Sequence, residues 1–307
     1  MLLKNHKLTS ALQLINQQIS LLKEETSVQK ILQANILSRL NNANTPNILQ
    51  NIQLAEFKVF SQWGDDGIIQ FLVNYLDIKT KTFIEFGVQD YTEANTRFLL
   101  MNNNWSGLIM DGSAENMERV RQDDLYWKYN LTALNAFITC ENINDLIAQN
   151  GFKGEIGLLH VDIDGNDYWV WKAITGISPV IVIVEYNSIF GKDNAWTVPY
   201  KADFYRTKQH YSNLYFGASL PALCDMAEEK GYAFVGSNSH GNNAYFVRKD
   251  AVKDLKIVNA TEGYVLSQFR EGRDKEGRLT YASGEARLNE IKGLEVFNTR
   301  SGKSERI

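Results

Sequence analysis

The sequence predicts an α/β fold, a doubly wound, mostly parallel seven-stranded sheet preceded by a helical extension, and three observations carry that reading. From about residue 56 short apolar runs alternate with helix-forming stretches, the texture of a parallel sheet covered on both faces. Several runs end in glycine or an acid, as in Phe83-Ile84-Glu85-Phe86-Gly87 and Gly107-Leu108-Ile109-Met110-Asp111, and such sheets bind ligands at the carboxyl ends of their strands. Hydrophobic residues make up 44% of the 307, enough for a core of this size.

Residues 4–42 contain neither Pro nor Gly, which reads as helix. Leu8, Leu12, Ile15, Ile19 and Leu22 recur at alternating spacings of four and three, as along a coiled-coil seam. After the polar stretch 23–27 the apolar stripe is Val28, Leu32, Ile36 and Leu40, so two helices and one interrupted helix both fit. A helix docked on its own domain and an element that builds a homo-oligomer are equally compatible with this pattern. Asn41 to Pro46 is a natural linker. The expected boundaries are therefore an extension at 1–46, the α/β domain at 47–250 and a C-terminal extension at 251–307.

Within the domain the first strand is expected at 83–87 with a helix at 93–102, the second at 107–111 with a helix at 114–121, and the third at 136–139 with a helix at 143–149. The fourth, 156–161, runs into Asp162-Ile163-Asp164-Gly165-Asn166-Asp167 before a helix at 168–173, and the fifth, 180–184, ends at Glu185-Tyr186-Asn187. After a long aromatic segment come a helix at 220–230 and two strands, 233–236 and 244–247, joined as a hairpin through 237–243.

Lys plus Arg total 32 against 36 Asp plus Glu, a formal net charge of -4, so there is no positive field to gather nucleic acid. The two cysteines, Cys140 and Cys224, lack the paired spacing of a zinc or redox site and are expected to be reduced and buried. No apolar run approaches the roughly 20 residues of a membrane span. Polar residues directly after Met1-Leu2-Leu3 argue against a signal peptide, and a cytoplasmic location is the default expectation.

Four clusters at strand ends carry chemistry. Around Gly87 the chain can approach a ligand closely, with Glu85, Gln89 and Asp90 as polar neighbours. Asp111, roughly 20 residues on, is placed either to accept from ribose hydroxyls or to cap the next helix from before Gly112-Ser113. Asp162, Asp164 and Asp167 follow one strand so closely that their charges need compensation. With Glu185 and Asn187 they form a hard-oxygen set suited to Mg2+ or Ca2+ and not to zinc, although a helix-capping turn at Asp164-Gly165-Asn166 is an equal reading. The segment 187–217 holds Phe190, Trp196, Tyr200, Phe204, Tyr205, His210, Tyr211, Tyr215 and Phe216. It fits an aromatic platform for a sugar or a second small core. His160, His210 and His240 are candidate general bases, because histidine as a residue type titrates near neutrality.

With these residues in view, the chain resembles the FkbM-like group of class I S-adenosylmethionine-dependent methyltransferases found in bacterial polysaccharide and glycan clusters. The resemblance covers about residues 56–250. It rests on Ser61-Gln62-Trp63-Gly64-Asp65-Asp66-Gly67, the Phe83–Gly87 run, Asn95-Thr96, Trp105-Ser106-Gly107, the Asp162–Trp169 run and Gly217-Ala218-Ser219-Leu220. It implies a Rossmann-like methyltransferase with S-adenosylmethionine as cofactor, held by Glu85, Gly87, Gln89, Asp90, Asn95, Asp111, Gly112, Ser113 and Asp162. The turn after Gly87 departs from the family by lacking its second glycine. A separate similarity, to magnesium-dependent catechol-type and sugar O-methyltransferases, implies Mg2+ at Asp162, Asp164, Glu185 and Asn187. The expected activity is O-methyl transfer to a hydroxyl of a sugar or glycan intermediate. Either the metal polarises that hydroxyl, or one of Asp164, Glu185, His210 and His240 takes its proton. Competing expectations are a nucleotide-sugar or metal-dependent enzyme on the same sheet, and a non-catalytic scaffold.

Overall fold

The computed structural model describes residues 2–268 and 271–307, with side chains from residue 10 onward. Helix α1 (Leu2–Ala43) is continuous. The polar stretch does not interrupt it, because the Thr26 and Ser27 hydroxyls donate back to the Leu22 and Lys23 carbonyls at 2.7 and 2.9 Å and so leave the helix ladder intact. Its second half lies on the domain: Ala34 packs with Phe57, Val59, Phe60 and Phe98, and Ile31 leans on the same group. The linker expected at 41–46 leads straight into α2 (Thr45–Ile48), with Pro46 in its first turn, where proline costs no hydrogen bond. Ile48 is fully buried, so this segment belongs to the domain's packing.

Residues 57–66 form a strap held from within. One Oδ of Asp66, at the start of α3 (Asp65–Tyr75), accepts the backbone N–H groups of Val59, Phe60 and Ser61 and the Ser61 hydroxyl at 2.7–2.8 Å. Burial nevertheless outweighs those bonds and lifts Asp66 to about 6. The folded chain then holds a proton here between about pH 4 and 6 that the unfolded chain has released, so stability falls as pH rises through that window. The Asp66 share is on the order of 2 kcal/mol. Urea unfolding at both ends of the window checks it, and Asp66→Asn should flatten the difference. Neighbouring Asp65 accepts from Asn238, Asn243 and Tyr245 at 3.0, 2.9 and 2.5 Å. The Asp65-Asp66 pair thus ties the strap to the far edge of the sheet.

The sheet comprises β1 (Thr82–Phe86), β2 (Ser106–Asp111), β3 (Leu131–Asn135), β4 (Gly154–Val161) and β5 (Ile177–Glu185), with β7 (Tyr232–Ser237) and β8 (Asn243–Arg248) after the short β6 (Trp196–Thr197). Its order is β3-β2-β1-β4-β5-β8-β7. The first five strands are parallel, and β8 inserts antiparallel between β5 and β7. This is a seven-stranded, mostly parallel, Rossmann-like arrangement. β5 is buried along almost its whole length because helices cover both faces. These are α4 (Arg97–Asn103), α5 (Ala114–Gln122), α6 (Asp124–Lys128), α7 (Ile143–Gln149), α8 (Asp167–Ala173) and, after α9 (Arg206–Gln209), α10 (Leu220–Glu229).

Three expectations need correction. The third strand is 131–135, not 136–139: Leu131 and Ala133 turn into the core, whereas 136–138 run beside the cleft as loop. The helix expected from 93 begins at Arg97, since the amides of Asn95 and Thr96 are drawn to the Glu85 carboxylate. Cys140 and Cys224 are free but only half-buried. The C-terminal extension also shares its packing with the rest: Leu255 joins the main core. After α11 (Ala260–Gly263) and α12 (Glu285–Glu290), β9 (Glu295–Asn298) pairs with both β6 and β10 (Lys303–Arg306). No helix among the described residues is long and apolar enough to cross a membrane.

Candidate active site

Strand order reverses between β1 and β4, and a doubly wound sheet opens a crevice at such a point. Here it is a cleft of about 460 Å3 lined by the ends of β1, β2 and β4, the loop 136–138 and the segment Phe204–Thr207. Gly87 forms its floor. A Cβ at this position would lie 1.7 Å from the Asp162 carbonyl oxygen, and φ is +71°, so neither the space nor the backbone admits a side chain. The missing second glycine is replaced by strain: Gln89 and Tyr91 take φ of 49° and 60°. Asp111 holds that curve from β2. One Oδ accepts the Gln89 N–H at 2.8 Å and the other the Ser113 N–H at 2.7 Å, while the Ser113 hydroxyl caps α5. Asp111 is therefore the turn acid before α5 and Ser113 its cap, and each Asp111 oxygen can still accept a further bond. Gly112 and Ser113 line the same wall.

Along the opposite rim, Asp162, Asp164 and Glu185 each bring a carboxylate oxygen within 4.8 Å of the others. Burial first, and then the charge of Asp164, lifts Asp162 to about 8; burial and the charge of Asp162 raise Glu185 well above the carboxylate range. One oxygen of Glu185 is buried without a hydrogen-bond partner. Asp167 is set apart. Its oxygens accept the Ile163 and Gly165 amides at 2.8 and 2.9 Å, so it shapes the turn that presents Asp162 and Asp164.

Sequence reasoning missed the residue that answers this negative charge. The Arg206 guanidinium pairs with Asp164 and, at 3.2 Å, with Glu271. It also donates to the Asn213 carbonyl and lies 3.8 Å over the Phe216 ring. Burial opposes its charge, but Asp164 and Glu185 hold it protonated. Arg206 and Glu271 carried no local signal beyond ordinary surface charge.

A second recess, about 120 Å3, opens on the other side of Gly87 and Asp162; Gln62, Glu93, Asn95, His160, Asn242 and Asn243 are among its lining residues. Glu85 forms its inner wall but is spent as a tie: its oxygens accept the Asn95 and Thr96 amides, the Thr96 hydroxyl and His160 Nδ1. Burial works against the Glu85 charge, yet these partners keep it below its ordinary range; burial likewise works against a charged His160, yet the Glu85 carboxylate raises it. The Asn95 amide nitrogen donates to His160 Nε2 at 3.1 Å. These residues back the Gly87 turn and do not reach the main cleft.

Four further expected site residues are placed elsewhere. Asp90 closes a local turn by accepting the Thr92 amide and hydroxyl and lines only the second recess. Asn187 is 1% exposed; its amide donates to the Leu214 and Phe216 carbonyls and its oxygen accepts from Ile189, so it is removed from the metal set. His210 bonds Ser212 at 2.7 Å, and burial lowers its pKa. His240 stacks on Trp63 with ring centroids 4.0 Å apart. Neither histidine lines the cleft. In the aromatic segment Phe204 and Tyr205 line the cleft, and Phe204 also joins Phe190, Tyr215 and Phe216 in a small core with Ile291 and Val296 of the tail.

No family model and no curated protein matches the chain. Among solved structures it is similar to the N-terminal domain of EvdMO1 with SAH bound, at 12% identity over 61% of this chain and 80% of that one, TM-score 0.41. It is also similar to the O-methyltransferase from Bacillus cereus in complex with SAH, at 10% identity over 71% and 89%, TM-score 0.40. Likeness at this level leaves the functional reading to the chain's own residues.

Proposed function

We propose that the chain is an S-adenosylmethionine-dependent O-methyltransferase of the FkbM-like kind, acting on a hydroxyl of a sugar or glycan intermediate. The observation that carries this is the cradle at the switch point, with Gly87 flush against the Asp162 backbone and Asp111 locked beside it by Gln89 and Ser113. A ligand there meets bare backbone, a carboxylate able to accept from ribose hydroxyls, and an apolar wall of Met110, Phe137 and Ile138 for a flat base. The cofactor, bound there, supplies an electrophilic methyl group on a sulfonium. Asp162 lines both recesses, and its carboxyl, raised by burial, is the stronger base for the acceptor's proton once it is ionised. The second recess supports a hydroxyl-rich acceptor: its amides include Asn242 and Asn243, and Asn243 Oδ1 is buried without a partner.

Asp162, Asp164 and Glu185 also fit Mg2+, as hard donors with one orphaned buried oxygen, and a divalent ion would make the acceptor hydroxyl more acidic. Arg206 and that ion would compete for Asp164. Isothermal titration with S-adenosylmethionine and S-adenosylhomocysteine, with and without Mg2+, tests the whole reading: micromolar binding is expected, and no binding under any condition overturns it. Glu185→Gln should weaken Mg2+ binding by about tenfold while leaving S-adenosylhomocysteine affinity within about threefold. Unchanged Mg2+ affinity would remove the metal from the proposal.

A further inference from the structure

Helix α1 presents different residues to its own domain and to solvent. In a seven-residue frame with Leu12 at position a, the a positions are Leu12, Ile19, Thr26, Gln33 and Leu40, and the d positions are Ile15, Leu22, Gln29 and Ile36. The helix is continuous, but the apolar seam is interrupted at 26–33, where Thr26, Gln29 and Gln33 hold the a and d positions and the exposed Val28 and Leu32 lie at c and g. Among the side chains that touch the domain, Ile31, Ala34 and Ser38 fall at f, b and f, and Asn35 and Asn41, which donate to Asn102 and to the Ala55 carbonyl, fall at c and b. Glu24, which pairs with Lys128 at 3.3 Å, is also at f. Positions f and b lie on the back of a helix whose front is a and d. On that front the six apolar side chains are each between 46% and 61% exposed, a stripe longer than a monomeric surface ordinarily shows.

We propose that this seam pairs with the same seam of a second copy of the chain, as a parallel two-stranded coiled coil. The period of 3.5 residues is what keeps one helix face turned toward a partner helix. Charge selects the orientation. Lys23 and Lys30 occupy e positions and Glu25 a g position, and in a parallel pair g faces e of the next heptad. Glu25 of each copy then meets Lys30 of the other. An antiparallel pair sets e against e and brings Lys23 against Lys30. In-register parallel pairing also places Thr26, Gln29 and Gln33 opposite their own counterparts, where their polar groups can bond each other, whereas a slip by one heptad buries Gln29 against leucine and isoleucine. The two domains, held on the backs of the helices, stay clear of the seam.

Sedimentation velocity on the full chain from about 1 to 100 µM tests this. The wild type should sediment as a dimer. Ile15→Glu with Ile19→Glu should give a monomer throughout that range, with the unfolding transition of the domain unchanged because neither residue touches it. Lys30→Glu should weaken the dimer by about tenfold, and adding Glu25→Lys should restore it to within about threefold. A monomeric wild type, a trimer or tetramer, or a dimer that survives the double glutamate variant overturns the proposal. A dimer tightened by Lys30→Glu, the antiparallel signature, overturns it as well, as does a charge swap that restores nothing.

Discussion

Gly87→Ala should destabilise the protein by about 4 kcal/mol, combining a left-handed backbone that alanine resists with severe overpacking. The added methyl carbon would stand 1.7 Å from the Asp162 carbonyl oxygen. That oxygen is backbone at the end of β4, paired to β1 through Phe83–Glu85, and cannot swing aside as a flexible side chain could. Relief requires β1 and β4 to part at the mouth of the cleft, so cofactor binding should fall with stability. Urea unfolding measures the first effect. A variant within about 0.5 kcal/mol of wild type, the range of an ordinary surface change, would mean that the two strand ends do not approach this closely in solution.

Asp111→Ala should weaken S-adenosylhomocysteine binding by about 100-fold, the worth of two charge-assisted hydrogen bonds to a ribose. Its effect on stability should be about 1 kcal/mol, because Asp111 is half-buried and water can reach the Gln89 and Ser113 amides it leaves behind. This pairing of a large affinity loss with a small stability loss distinguishes a turn acid that also faces a ligand from one that serves the turn alone. Equal cofactor affinity in the variant would sink the assignment of the main cleft. Asp164→Asn supplies the contrast: it sits on the acidic rim, pairs with Arg206 and should leave cofactor affinity near wild type while weakening Mg2+.

The strand ends were legible because their signal is local. An apolar run of strand length closed by Gly87, Asp111 or Asp162 states its own element and its own end within a few residues, and the order of such runs implied the parallel sheet. Where the pattern was shared between two neighbouring stretches, as at 131–139, hydrophobicity did not decide which one the core would take. The single long helix was legible as helix but not as continuous, since Thr26 and Ser27 look like breakers until their hydroxyls are seen bonded back to the turn before.

What only the tertiary structure decided is who compensates whom. Asp164 meets Arg206 across 42 residues and Arg206 meets Glu271 across 65; Asp65 finds Asn238 across 173. The sequence by itself determined that three acids would crowd the end of β4 and need a counter-charge, because adjacency along the chain forces like charges together. Which cation or donor answers them, and which of Asn187, His210 and His240 is turned away from the cleft, depends on segments whose meeting is set by sheet order and core packing. Charge carries no record of its distant partner, whereas period and length are written in neighbouring residues.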